Sequence, residues 1–150
     1  MKLPERIAIR VLADGRPVAG VFASVTIRTT RKNDFGLGFG PTNEDGGLVI
    51  SREDLLREAE KERRLFIMDY GHPEDDFTGE IVVRALNREA LQRAIAAYDA
   101  YHQVTPYPAR YAEQIQEART ALEESGASEL SVEVKHMNGD VRVRAEPSQV

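Results

Sequence analysis

Hydrophobic and polar residues alternate at both ends of the chain and follow a helical period in between. In ERIAIRVLA (5–13), Ile7, Ile9 and Val11 oppose Arg6, Ala8 and Arg10, the pattern of a strand with one buried face. Asp14-Gly15 marks a turn. A tight two-residue hairpin there would set Val11 against Val18 and Ile9 against Gly20. The next clear alternation is Val21, Ala23, Val25 and Ile27, so ADGRPVAG reads as a longer connection to a strand starting near Val21. In RKNDFGLGFGPTNEDGG (31–47), Phe35, Leu37 and Phe39 alternate with Gly36, Gly38 and Gly40. As a strand, this run puts three large side chains on one face and bare backbone on the other. Asp45-Gly46-Gly47 then turns into a short strand, Leu48–Ile50.

Ser51 with Asp54 three residues on reads as a capping box, with Asp in place of the usual Glu. The helix it opens, REDLLREAEKERR, has an apolar content of only Leu55, Leu56 and Ala59, so it is expected at the periphery with most of its surface in water. LFIMD (65–69) reads as a buried strand, GHPEDD (71–76) as a loop, and FTGEIVVRAL (77–86) as a strand with Phe77, Gly79, Ile81, Val83 and Ala85 on one face. Asn87 can cap a second helix reaching about Tyr101, and a third runs from about Ala109 to Ser125, with Gly126 beyond it. TPYP separates them, because proline disfavours helix in the residue before it. Finally LSVEVKH and DVRVRAE flank Asn138-Gly139, the strongest short-range hairpin signal. In two-residue register Val134 opposes Val143, Val132 opposes Ala145 and Glu133 opposes Arg144.

These elements predict a single α+β domain over residues 1–150. Its core strands lie at about 5–50, 65–86 and 129–146, with a surface helix and an inserted helical pair at about 88–125. Gly15, Pro17, Gly20 and Val25, then Thr42, Asp45 and Gly46, form a sequence that resembles the carboxypeptidase regulatory-like, or prealbumin (transthyretin)-like, β-sandwich domains over residues 7–50. The resemblance implies an antiparallel β-sandwich core and a non-catalytic accessory role. The hydrolases of that fold carry a C-terminal Tyr-Arg-Gly-Ser signature, whereas this sequence ends AEPSQV, so their activity is not implied.

Composition narrows the function. The 150 residues are 41% hydrophobic and 30% charged with both signs mixed, a globular composition. A net charge of −5 argues against nucleic acid as a partner, since phosphate neutralisation needs a basic face. With no cysteine, thiolate zinc sites, iron–sulfur clusters and a cysteine nucleophile are excluded. MKLPERIAIR offers no apolar leader segment and no run has transmembrane length, so a cytoplasmic location is expected.

The candidate chemistry is sparse. FGLGFG lacks the following helix and the lysine of a phosphate loop. Two readings of its alternation stand. Either Phe35, Leu37 and Phe39 cover the core, or they form a glycine-softened apolar flap that orders on a partner, for example by strand addition. In the second reading, Glu74, Asp75 and Asp76 of the acidic loop could also steer a basic partner. The expectation is therefore a non-catalytic protein-interaction module, an adaptor, chaperone or inhibitor/immunity-type protein, with another protein as partner and no cofactor or metal. The alternative is a small-ligand-binding or hydrolase-like protein with a cleft near Asp69, His72, Tyr98, Tyr101 and Tyr107. Neither HExxH, an acidic calcium loop nor a nucleophile elbow is present, which leans the reading away from an enzyme.

Overall fold

The computed structural model describes residues 2–65, 70–86, 120, 130–137 and 140–146. Eight strands and one helix lie within them, in a β-rich α+β arrangement: β1 (Arg6–Ala13), β2 (Arg16–Pro17), β3 (Ala23–Thr29), β4 (Phe35–Phe39), β5 (Gly47–Ser51), α1 (Arg52–Leu65), β6 (Phe77–Ala85), β7 (Leu130–Met137) and β8 (Arg142–Glu146).

The strands form two four-stranded sheets. In the first, β1 is central. β7 pairs along one side of it, while β5 (against Arg6–Arg10) and the short β2 (against Leu12 and Ala13) pair with its other stretches. The second runs β4-β3-β6-β8. The alternation dictates which faces are buried: Ile7, Ile9 and Val11 from the first sheet meet Val25, Ile27, Phe35, Ile81 and Val83 from the second in one core cluster. Leu55 and Ala59 of α1 join that cluster.

The turns are set by local chemistry. Asp14-Gly15 makes the tight hairpin after all, both residues having positive φ, with Ala13 opposite Arg16 and Leu12 opposite Pro17. Pairing stops after two residues and the chain crosses to the second sheet, so both the short hairpin and the longer connection exist. Asn43 closes the next turn with its Oδ1 accepting the N–H groups of Asp45 and Gly47, both at 2.9 Å. Gly46, at φ +72°, could not carry a Cβ, which would lie 2.6 Å from the Val11 carbonyl oxygen.

Three expectations are corrected. The end of the chain does not pair as an Asn-Gly hairpin: β7 pairs with β1, and β8 pairs with β6. The two strands belong to different sheets, because each finds a partner with a long apolar face elsewhere. The β6–β8 pair is parallel, so the second sheet is mixed rather than antiparallel. More than fifty residues separate the two strands in sequence, ample for the crossover that parallel pairing requires. Leu65, read as the start of a strand, ends α1. The rest of that expected strand (66–69) and the helical pair at 88–125, apart from residue 120, lie outside the described residues. Among the described residues, no helix is long and apolar enough to cross a membrane.

Candidate functional site

Two stretches far apart in sequence, β4 and the loop at 70–76, are brought together. The rings of Phe35 and Tyr70 stack with centroids 5.0 Å apart and planes 16° from parallel. Around them, the β3–β4 turn is tied to the loop by Thr30 N–H donating to the Asp76 carbonyl (2.8 Å) and by Arg31 Nε against Asp76 Oδ1 (3.5 Å). Asp34 fixes the turn from inside. Its Oδ1 accepts the Thr29 N–H at 2.9 Å and its Oδ2 pairs with Arg28 at 2.9 Å.

The loop is built on itself. His72 Nδ1 accepts the N–H groups of Glu74 and Asp75, each at 3.3 Å, and the His72 N–H donates to Asp76 Oδ2 at 2.6 Å. That bond, followed by the nearby Arg31 charge, holds the Asp76 carboxyl below the usual carboxylate range against some desolvation. Gly71, at φ +71°, packs so tightly that a Cβ would collide with the Asp76 carboxylate and the Arg31 stem. Asp76 is thus committed to holding the loop. Asp75 is the carboxylate offered to solvent, and Glu74 is half-buried.

The apolar residues of β4 do not form an exposed flap. Phe35 is fully buried, Leu37 is 4% exposed, and Phe39 packs partly buried against the core. A contact surface made of the Phe35 and Leu37 side chains is therefore corrected: the period of two turns them inward against β3 and the facing sheet. What β4 offers outward is glycine. Gly36 and Gly38 are exposed, and a Cβ on either would meet nothing within 4 Å. Among the described residues, β4 is also the terminal strand of its sheet.

One residue absent from the sequence-level candidates belongs to this site. Glu62 of α1 lies near the Tyr70 hydroxyl and the Gly36 N–H, donors that favour its charged form. Burial pushes its carboxyl up to about 7, and those two donors oppose the shift without cancelling it. Its Oε2 is sealed from water with no hydrogen-bond partner. The signal was in the spacing: Leu55, Ala59 and Glu62 stand at i, i+4 and i+7, so the buried stripe of α1 runs into a glutamate.

Of the residues expected to line a ligand cleft, Asp69, Tyr98, Tyr101 and Tyr107 lie outside the described residues. His72 is exposed, and its Nδ1 is occupied by backbone donors. Among the described residues, no three His, Asp or Glu side chains come together as a metal-holding group. Comparison with known proteins found no matching family model, curated protein or solved structure.

Proposed function

We infer that this protein is a non-catalytic interaction module that binds an extended segment of another protein along the outer edge of β4. The single observation that supports the reading is the position and composition of that strand. Among the described residues it ends its sheet, and at Gly36 and Gly38 its outer face is bare backbone, so side chains of an added strand would meet no bulk beside them. The binding surface in this reading is the backbone of the Gly/Phe-rich segment 33–42 rather than its phenylalanines, which anchor the strand from behind. Asp75 and Glu74 stand at the same end of the fold and would favour a basic segment.

The finer architecture belongs to the same reading. The two sheets sharing one core support a transthyretin-like sandwich, extended by the helical pair expected at 88–125. Val82 is consistent with an added layer: it lies on the face of β6 turned away from Ile81 and Val83, yet it is fully buried. A cytoplasmic setting fits the charge balance.

The test is capture from host lysate by wild type and by Gly38→Pro, which removes an edge donor while leaving the buried face intact. A partner held by wild type and lost by the folded variant, with its binding segment perturbing the Gly36 and Gly38 amide resonances, is the expected result. Perturbations confined to other strands would sink the reading.

A further inference from the structure

Among the described residues, β4 and β8 close opposite ends of the second sheet, and they are seated differently. β4 puts Phe35 and Leu37 into the core. β8 has no buried residue: Val143 packs half-buried against the core, and Ala145, next along that face, is exposed. Val141, just before the strand, is its apolar anchor. Yet the strand it covers is apolar at its centre, with Ile81, Val82 and Val83 fully buried.

What holds β8 is backbone pairing and charge. The pairing runs parallel, from Glu80 opposite Arg142 to Arg84 opposite Glu146, and parallel pairs are slightly less stable per residue. On the outward face Arg144 stands opposite Val82, and its guanidinium reaches Glu80 at 3.0 Å and Glu146 at 2.9 Å. Glu146 also pairs with Arg84, its register partner. These contacts fix register, but they anchor weakly, because the Arg144 side chain is half exposed and solvent screens it. The edge of β6 therefore selects by charge. Glu80 calls for a cation on a parallel strand, and Arg84 for an anion two positions further along it.

We propose that the edge of β6 is a recognition site for an extended segment of another protein, and that β8 is its replaceable resident. The segment runs parallel to β6 and carries a basic and an acidic residue two positions apart, where β8 carries Arg144 and Glu146. Replacement exchanges like for like. The entering strand takes over the backbone groups of β6 and the charges of Glu80 and Arg84, so the sheet edge stays paired. This site does not depend on binding at β4, which lies at the other end of the sheet.

Amide hydrogen exchange of the full chain, followed by NMR, tests whether β8 opens by itself. In wild type the paired β8 amides, and the β6 amides turned toward β8, should exchange roughly 100-fold faster than those of β6 turned toward β3. Arg144→Glu sets a carboxylate against Glu80 and should speed β8 exchange about tenfold more, leaving the β3–β6 amides unchanged. The probe is the capped peptide Val-Arg-Val-Arg-Ala-Glu, the sequence of residues 141–146. It should perturb the Glu80–Arg84 amides of the Arg144→Glu chain saturably. It should bind wild type roughly tenfold more weakly, because the tethered β8 competes. A peptide of the same composition, with its last arginine and its glutamate interchanged, should bind the Arg144→Glu chain roughly tenfold more weakly than the first.

β8 amides that exchange as slowly as the β3–β6 amides overturn the proposal. So do β6 amides that ignore the first peptide or respond to both peptides alike. Protection of β6 that grows with protein concentration in the absence of peptide also overturns it, since β8 would then be swapping between copies. Should Arg144→Glu fail to fold, the wild-type exchange rates and the wild-type response to the two peptides decide alone.

Discussion

Phe35 and Gly38 stand three positions apart in one short strand, and they belong to opposite faces of it. Truncating Phe35 to Ala removes a fully buried ring from its stack on Tyr70 and should cost about 3–5 kcal/mol, read from urea denaturation. Gly38→Ala adds a methyl group to open space on an exposed face and should change stability by less than about 1 kcal/mol. Equal losses in the two variants would contradict the assignment of faces. Thr42 offers a second test. Its hydroxyl accepts the Val21 N–H at 3.2 Å and donates to the Val18 carbonyl at 2.7 Å, so Thr42→Val orphans two groups at constant shape. A loss of about 1–3 kcal/mol by the same measurement is expected. The alternation of Phe35, Leu37 and Phe39 was legible in the sequence, because period two follows from backbone geometry alone. Which face met the core was not, since that depends on β3 and on Tyr70, which is thirty-five positions away. Glu62 was harder still: a glutamate in a charged helix resembles its solvated neighbours until the facing strand is known.

The cap of α1, completed by local chemistry, was legible in the sequence, whereas the strand pairings decided by partners far along the chain were not. Ser51 and Asp54 form the reciprocal cap their spacing predicts, with the Asp54 N–H donating to Ser51 Oγ at 3.1 Å and the Ser51 N–H to Asp54 Oδ2 at 3.3 Å. Ser51→Ala should therefore cost about 1 kcal/mol, measured as a shift in the thermal midpoint. Asn138-Gly139 is as strong a local signal, yet β7 and β8 pair with β1 and β6. The difference lies in what competes. A helix cap is completed within four residues, while a strand can satisfy its N–H and C=O groups with any aligned neighbour. Val132 and Val134 suit β1, whose Val11 and Ile9 are their register partners, as well as they would have suited β8. The same reasoning accounts for α1. Its sparse apolar content predicts a peripheral helix, and two fully buried side chains, Leu55 and Ala59, suffice to seat it on the core between β4 and β5.

At the scale of the whole molecule, carboxylates pull the stability profile in opposite directions. Asp54 is held below its ordinary value of 3.8, first by the Ser51 backbone N–H and then by Arg57. Asp76 is held down by the His72 N–H and by Arg31. Groups of this kind contribute stability above the unfolded value, and it is lost as pH falls through the lower folded one. Glu62 runs the other way. Between 4.5 and about 7 the unfolded chain has released the Glu62 proton while the folded chain still holds it, so folding is disfavoured progressively as pH rises across that window. Above it the penalty is constant. Stability measured by urea denaturation should thus weaken on the acid side below about pH 4 and again between pH 5 and pH 7. Glu62→Gln should remove the second decline alone, gaining about 1–2 kcal/mol relative to wild type on moving from pH 5 to pH 8; this discounts the full value of the shift because the side chain keeps part of its surface in water. Parallel wild-type and variant profiles across that range would mean that Glu62 titrates as an ordinary surface carboxylate. A decline removed by the variant would show that this fold carries a buried, protonatable group at the edge of β4 and tolerates its cost at neutral pH.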